Sequence, residues 1–244
     1  MGLLQYLDPF FTVSKQSQEP GEVWWVPTPE VNYVPHILDV KRATPTDHLG
    51  VQFILREIEF GKDFNGNDPK DLPVASLKIK SSEELLVTKA KLRPCVILAE
   101  LSGVDIEGLP EGTPRKMAKH MQFSTYLVAP MYSVPVYPEA GTFMPSFVHR
   151  IRHMKYYHLF CIPEEGRPEM PRSIIRLDRA FVSYLSKGCK PKGQRLNDEA
   201  FDVLKAMFTL SFKAAIPEQM IETIEQLKSM LDEDYLKSES TEGP

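Results

Sequence analysis

No stretch of the 244-residue chain approaches the roughly 18 consecutive apolar residues that a membrane-spanning helix requires. Cysteine is scarce: Cys95, Cys161 and Cys189 are odd in number and far apart. That excludes a disulfide framework and favours reduced thiols in a cytoplasm, with buried or idle roles. No G-x-G-x-x-G or G-x-x-x-x-G-K-[ST] element occurs, so neither a dinucleotide fold nor a phosphate-cradling loop is indicated. No internal repeat is found. The first eleven residues lack a basic start and contain Asp8, which argues against a signal peptide. An amphipathic helix through Leu3, Leu4, Leu7 and Phe11 is the simpler expectation.

The composition itself is that of an ordinary globular protein, 42% hydrophobic and 25% charged, with a net charge of −4. The small net charge hides a division. Residues 140–195 hold eleven Lys/Arg against four Asp/Glu, and residues 196–244 hold four against eleven. A basic middle attracts phosphates, and an acidic tail can compete for the same surface.

Strand signals are frequent and short. Glu22 to Val26 lies between Pro20-Gly21 and Pro27, with two tryptophans suited to a sheet. Pro29, Pro35 and Pro45 interrupt the next stretch, and Asn65-Gly66 marks a turn. Val51 to Phe60, Leu77 to Ile79 and Leu85 to Val87 are weaker strand candidates. Cys95 to Glu100, Phe123 to Pro130 and Ser173 to Leu177 read as buried strands, and Ala180 to Leu185 as a continuation after a bend. Two helices close the chain. Asn197 is a good cap for the first, whose apolar stripe runs from Ala200 to Phe212. Pro217 opens the second, with a stripe from Met220 to Leu231 close to heptad spacing. That helix is expected to pack on its own domain, with pairing to a second copy or covering of a basic groove as the alternatives. Short strands, long loops and terminal helices point to a compact barrel or open roll.

Four pieces in order carry a resemblance. They are Gly21-Glu22-Val23-Trp24-Trp25-Val26-Pro27, then Leu92-Arg93-Pro94-Cys95-Val96-Ile97-Leu98, then Tyr126-Leu127-Val128-Ala129-Pro130-Met131-Tyr132-Ser133. The last is Ser173-Ile174-Ile175-Arg176-Leu177-Asp178-Arg179-Ala180, leading to the helix after Asn197. Together they resemble the PemK/MazF family of toxins from bacterial toxin–antitoxin pairs. The resemblance implies a mainly β fold with C-terminal helices, a small SH3-like antiparallel barrel over 1–212. An insertion at about 28–90 interrupts it after the first strand, and an acidic helix and tail occupy 213–244. It implies metal-independent cleavage of single-stranded RNA, no cofactor, a cognate antitoxin partner and a homodimer. A barrel of the same kind that no longer cuts, serving as an RNA-binding or protein-interaction module, is the alternative. Tyr132 in place of the family's small polar residue favours it.

Metal-free RNA cleavage uses the 2′-hydroxyl as nucleophile. It needs a base, an acid for the leaving oxygen and a cation for the phosphorane charge. The resemblance assigns the cationic role to Arg93, whose guanidinium is always charged and grips phosphate by two donors. By residue type, Ser133 could donate a hydrogen bond to a phosphate oxygen, and Tyr132 could stack on a base or donate its phenol proton. A second candidate is the run from His149 to His158, where no Asp or Glu occurs between residues 140 and 163. If it is extended, His149, Ile151, His153, Lys155 and Tyr157 share one face, with Arg150, Arg152, Tyr156 and His158 opposite. His149, Arg150, Arg152, His153, Lys155 and Tyr157 are the expected RNA contacts, and His149, His153 and His158 stay open as acid or base. No carboxylate or cysteine at suitable spacing completes a metal site with these histidines.

Overall fold

The structure is a computed structural model. It describes residues 10–31, 33–42, 44, 50–59, 61–65, 83–101, 123–134, 144–164 and 167–229. These form two compact units, one comprising 1–27 and 92–244 and the other 28–91.

The larger unit is built on antiparallel strands: β1 (Phe11–Val13), β2 (Glu22–Pro29), β6 (Ala90–Leu101), β7 (Thr125–Ser133), β8 (Leu159–Glu164), β9 (Arg167–Arg176), β10 (Phe181–Ser183) and β11 (Lys190–Leu196). The division between the units falls inside β2 and β6. The strand order is β1-β11-β2-β6-β7-β9-β8, with β10 also paired to β7. This path is open. Among the described residues its two ends, β1 and β8, do not pair, so the sheet is not a closed barrel. The fold is therefore mainly β with antiparallel pairing and C-terminal helices.

Both faces of the central strands are buried. Val23, Val96, Val128, Ala129, Cys95 and Ile97 are almost wholly excluded from solvent. Alternation sorts them into two cores. Val23, Val96, Leu98, Ala129 and Met131 join the main cluster with the helices, whereas Trp24, Val26, Cys95, Ile97, Tyr126 and Val128 form a second one.

Among the described residues three α-helices occur: α1 (Pro145–Arg152), α2 (Asp198–Ser211) and α3 (Glu218–Ser229). The side-chain oxygen of Asn197 caps α2 by accepting from the Ala200 N–H at 2.7 Å, and Asp198 and Glu199 occupy its first turn. Ala200, Leu204 and Met207 on one stripe are fully buried. Of α3, Ile224 is buried in the main cluster. Phe11, expected at the end of an N-terminal helix, instead opens β1 and pairs with Leu196; residues 1–9 lie outside the described part. The strand candidate at Leu77 to Ile79 also lies outside it.

A fully buried carboxylate ties β2 to the loop before it. Glu22 accepts from Ser14 Oγ at 2.6 Å, Gln18 N–H at 2.9 Å, Trp24 Nε1 at 3.2 Å and Ser17 N–H at 3.3 Å. Gln16 and Gln18 adopt left-handed φ of 60° and 62° within this loop. The Tyr126 hydroxyl then donates to Gln18 Oε1 at 2.7 Å, joining the loop to β7. Burial pushes the Glu22 carboxyl up, but the hydrogen bonds from Ser14, Trp24, Ser17 and Gln18 outweigh it and hold the group below its ordinary 4.5.

The smaller unit contains β4 (Val51–Arg56), β3 (His36–Arg42) and β5 (Leu86–Val87) in the spatial order β4-β3-β5. Its core holds Ile37 and Val40. Arg56 bonds two carboxylates there. It reaches Asp39 at 2.7 Å and grips Asp63 with two nitrogens at 2.6 and 2.8 Å. Asp63 also accepts from the Glu59 N–H at 2.7 Å. The Arg56 hydrogen bonds hold the Asp63 carboxyl well below its usual range despite burial.

Replacing Glu22 with Gln sets an amide NH2 against donors and is expected to cost about 1–3 kcal/mol at neutral pH. Glu22 has a lowered folded pKa, so its contribution is present above the ordinary 4.5 and is lost as pH falls through the folded value. Urea denaturation of both proteins from pH 7 to pH 3 is expected to show the gap between them closing in acid. A constant gap would exclude the charge as its source.

Candidate functional site

Strand β7 lies between β6 and β9, and the two registers bring arginines to it. Cys95 pairs with Pro130 and Val96 with Ala129, so the same register continued by two residues sets Arg93 opposite Tyr132. On the other side Tyr132 pairs with Ile174, which makes Arg176 its diagonal neighbour. A 3-10 turn, Leu177–Arg179, comes directly after β9 and returns Arg179 toward the same point.

The outcome is a cluster around one ring. The Arg93 guanidinium carbon lies 4.2 Å from the centroid of Tyr132, that of Arg176 5.8 Å and that of Arg179 6.0 Å. Each is within the range at which a cation is attracted to an aromatic face, worth about 0.5–2 kcal/mol according to solvation. Tyr132 itself is half-buried against the main core.

The arginines differ in what else they hold. Arg176 forms a two-point ion pair with Asp178, its Nε donating to Oδ1 at 2.7 Å and its Nη2 to Oδ2. The Asp178 hydrogen bond holds the Arg176 guanidinium above its ordinary value, against the opposing effect of burial. Burial pushes the Asp178 carboxyl up, but hydrogen bonding to Arg176 and the charges of Arg176, His158 and Arg179 outweigh it, and the net shift is downward. Arg93 has no carboxylate within ion-pair distance among the described residues. Ser133 is exposed at the end of β7, paired with Ser173.

The second candidate, His149 to His158, is not an extended strand. Residues 145–152 are α1, and β8 begins only at Leu159. Pro145 occupies the first turn, His149, Arg150 and Arg152 fall in the last turn, and Val148 and Ile151 are buried at a helical spacing. The helix ends in a left-handed Met154, φ 55°, with Met154 N–H bonded to the Ile151 carbonyl at 3.0 Å and Lys155 N–H to that of Arg150 at 3.1 Å. The expected alternation of faces therefore does not exist. His149 and His153 stand one turn apart with ring centroids 4.5 Å from each other, and His153 is 3% exposed with Nδ1 bonded to the His149 carbonyl at 2.9 Å. Arg150 and Lys155 are exposed, Arg152 and Tyr157 half-buried.

His158 has a different setting. Its carbonyl accepts from Leu177 N–H at 2.9 Å, which anchors it to the turn bearing Asp178 and Arg179. Its side chain is exposed and acts electrostatically on Asp178. So the structure brings Arg93 and Tyr132 together and sets Ser133 next in sequence. It adds Arg176, Asp178 and Arg179, which the sequence motifs leave without a role. They stand in the fourth sequence piece, but only the pairing of β9 with β7 reveals that Arg176 and Arg179 meet Tyr132.

Elsewhere, the Cys161 thiol is buried and pushed up to about 12, with Arg152 acting weakly in the other direction. Cys95 and Cys189 likewise form no disulfide. Among the described residues no group of three or more His, Cys, Asp or Glu is placed to hold a metal ion. No described helix is long and apolar enough to cross a membrane.

Comparison with known proteins adds no family: no protein-family model, curated protein or solved structure matches the chain. Fold and site define a class on their own terms, an open antiparallel β protein with an arginine–tyrosine cluster where three adjacent strands meet.

Removing Arg176 is expected to raise the Asp178 pKa, since its largest charge-stabilising partner is lost while burial remains. Carboxyl-detected NMR titration of Arg176→Ala against wild type reads this. An unmoved Asp178 would show that the ion pair does not set its protonation.

Proposed function

We propose that the chain is a metal-independent endoribonuclease of the PemK/MazF kind, acting on single-stranded RNA as the toxin of a toxin–antitoxin pair. In this reading the open sheet is an enlarged version of the SH3-like barrel, and the chain works as a homodimer held in check by a cognate antitoxin. The observation that carries it is the convergence of Arg93, Arg176 and Arg179 on Tyr132. Guanidiniums gathered beside a partly exposed strand end form a ready site for a phosphodiester.

The division of labour depends on their neighbours. Arg176 is committed to Asp178 and supplies fixed positive charge. Arg93, with no such partner among the described residues, offers its fork to a non-bridging phosphate oxygen and stabilises the phosphorane. Ser133 contributes a hydroxyl at the same strand end. His158, exposed and acting electrostatically on Asp178, is the histidine assigned to proton transfer in this reading. The 2′-oxygen attacks phosphorus, the 5′-oxygen leaves, and the products are a 2′,3′-cyclic phosphate and a 5′-hydroxyl.

The second reading keeps the binding and drops the reaction. It is favoured by Tyr132, which puts a bulky ring where the family has a small polar group.

Induced expression of wild type is expected to arrest growth and fragment cellular RNA, with EDTA having no effect on cleavage by the purified protein. Arg93→Ala is expected to lower cleavage by about 10²–10³-fold, the usual cost of losing one transition-state charge donor. His158→Gln is expected to lower cleavage by about 10²-fold or more, the usual cost of losing a positioned proton-transfer group. Tight RNA binding with no cleavage by wild type would select the second reading. Neither binding nor cleavage would reject both.

A further inference from the structure

By residue type Tyr132 could stack on an RNA base or donate its phenol proton, and the geometry argues against the stacking. One face of its ring carries the Arg93 guanidinium at 4.2 Å, which is stacking contact. The ring also packs on the main core, and Arg176 and Arg179 stand at 5.8 and 6.0 Å from the same centroid. A base stacked on Tyr132 would have to displace Arg93 from it. Arg93, in turn, has no carboxylate among the described residues to fix its side chain, and the half-buried ring is the rigid group it rests on. Arginine has several rotatable bonds, so a guanidinium without a partner samples many positions. A flat aromatic surface across the strand pair removes most of that freedom while leaving the hydrogen-bonding edge of the fork open.

We propose that Tyr132 is a positioning residue: its ring holds the Arg93 guanidinium at the β6–β7 junction, edge outward, for an anionic oxygen, and no base stacks on it. The electron-rich ring also tempers the repulsion among three cations drawn to one place. The ligand in this proposal rests on the RNA reading above, whereas the ring–guanidinium relation does not.

A double-mutant cycle on the full chain tests it, read as binding of a fluorescein-labelled single-stranded RNA by anisotropy. Tyr132→Leu is expected to weaken binding by about tenfold in the wild-type background and by less than about twofold when Arg93→Ala is already present. Tyr132→Phe, which keeps the ring, is expected to stay within about twofold of wild type. If Tyr132→Leu costs the same factor in both backgrounds, the ring contacts RNA by itself and the proposal is overturned. Proton NMR gives a readout free of RNA and of any folding defect in the leucine variant. The Arg93 Hε resonance is expected upfield through the ring current in wild type and in Tyr132→Phe. Absence of that shift in wild type would overturn the proposal directly. A shifted resonance in a protein that binds no RNA would instead reject the RNA reading and leave the positioning role standing.

Discussion

The register of β7 between β6 and β9 is the constraint on which the site depends. Neighbouring strands lie at a fixed spacing, so a residue's companions are set by which residue stands opposite. Tyr132 faces Ile174 on one side and, by continuation of the 95–130 pairing, Arg93 on the other. A slip of one residue in either ladder would turn Tyr132 away from its arginines. Burial protects against that slip. Val96, Ile97, Val128, Ala129, Ile174 and Ile175 occupy both faces of these strands, and all six are fully buried. Apolar packing with no function of its own thus determines where the charged groups meet.

Two arginine settings in the chain show the difference between a structural cation and an available one. Arg56 in the smaller unit is bracketed by Asp39 and Asp63, and its charge is matched locally. It closes a loop and offers little to a ligand. Around Tyr132 three guanidiniums gather, and Asp178 acts on two of them, Arg176 and Arg179, while Arg93 has no carboxylate within ion-pair distance among the described residues. Gathering like charges costs free energy, and a protein recovers that cost when an anion arrives. The ring of Tyr132 lowers the cost in the meantime by presenting its negative face to the nearest cation. Glu22 shows the complementary solution for a buried anion: the groups that donate to it among the described residues, on Ser14, Ser17, Gln18 and Trp24, are all uncharged.

The parts of the fold legible in the sequence were those with strong local signals. The tryptophan strand after Pro20-Gly21, the apolar run from Cys95, and the helix behind Asn197 all appear where patterning puts them, because burial and capping act over a few residues. The helix at 145–152 was not legible as one. Val148 and Ile151 are β-branched and suggested a strand, yet Pro145 at the start and three basic residues in the last turn were helix signals of comparable strength. Phe11 failed for the opposite reason: an apolar position on an imagined helix is equally an apolar position on a short edge strand. At the site, Arg93 and Tyr132 could be picked out by type and motif, while the histidines were grouped on a face that does not form. Arg176 and Arg179 looked like ordinary charges beside a strand.

By itself, the sequence determined that this chain would be mainly β with helices at its C-terminal end, that its middle would be basic, and which arginine stood at the start of a buried strand. These are consequences of interactions between near neighbours along the chain. Tertiary structure alone decided that, among the described residues, the sheet stays open at β1 and β8, and that three arginines more than 80 positions apart at their extremes surround one tyrosine. Those outcomes depend on strand pairing across long loops, where no residue carries the identity of its partner and only the packing of the whole core selects it.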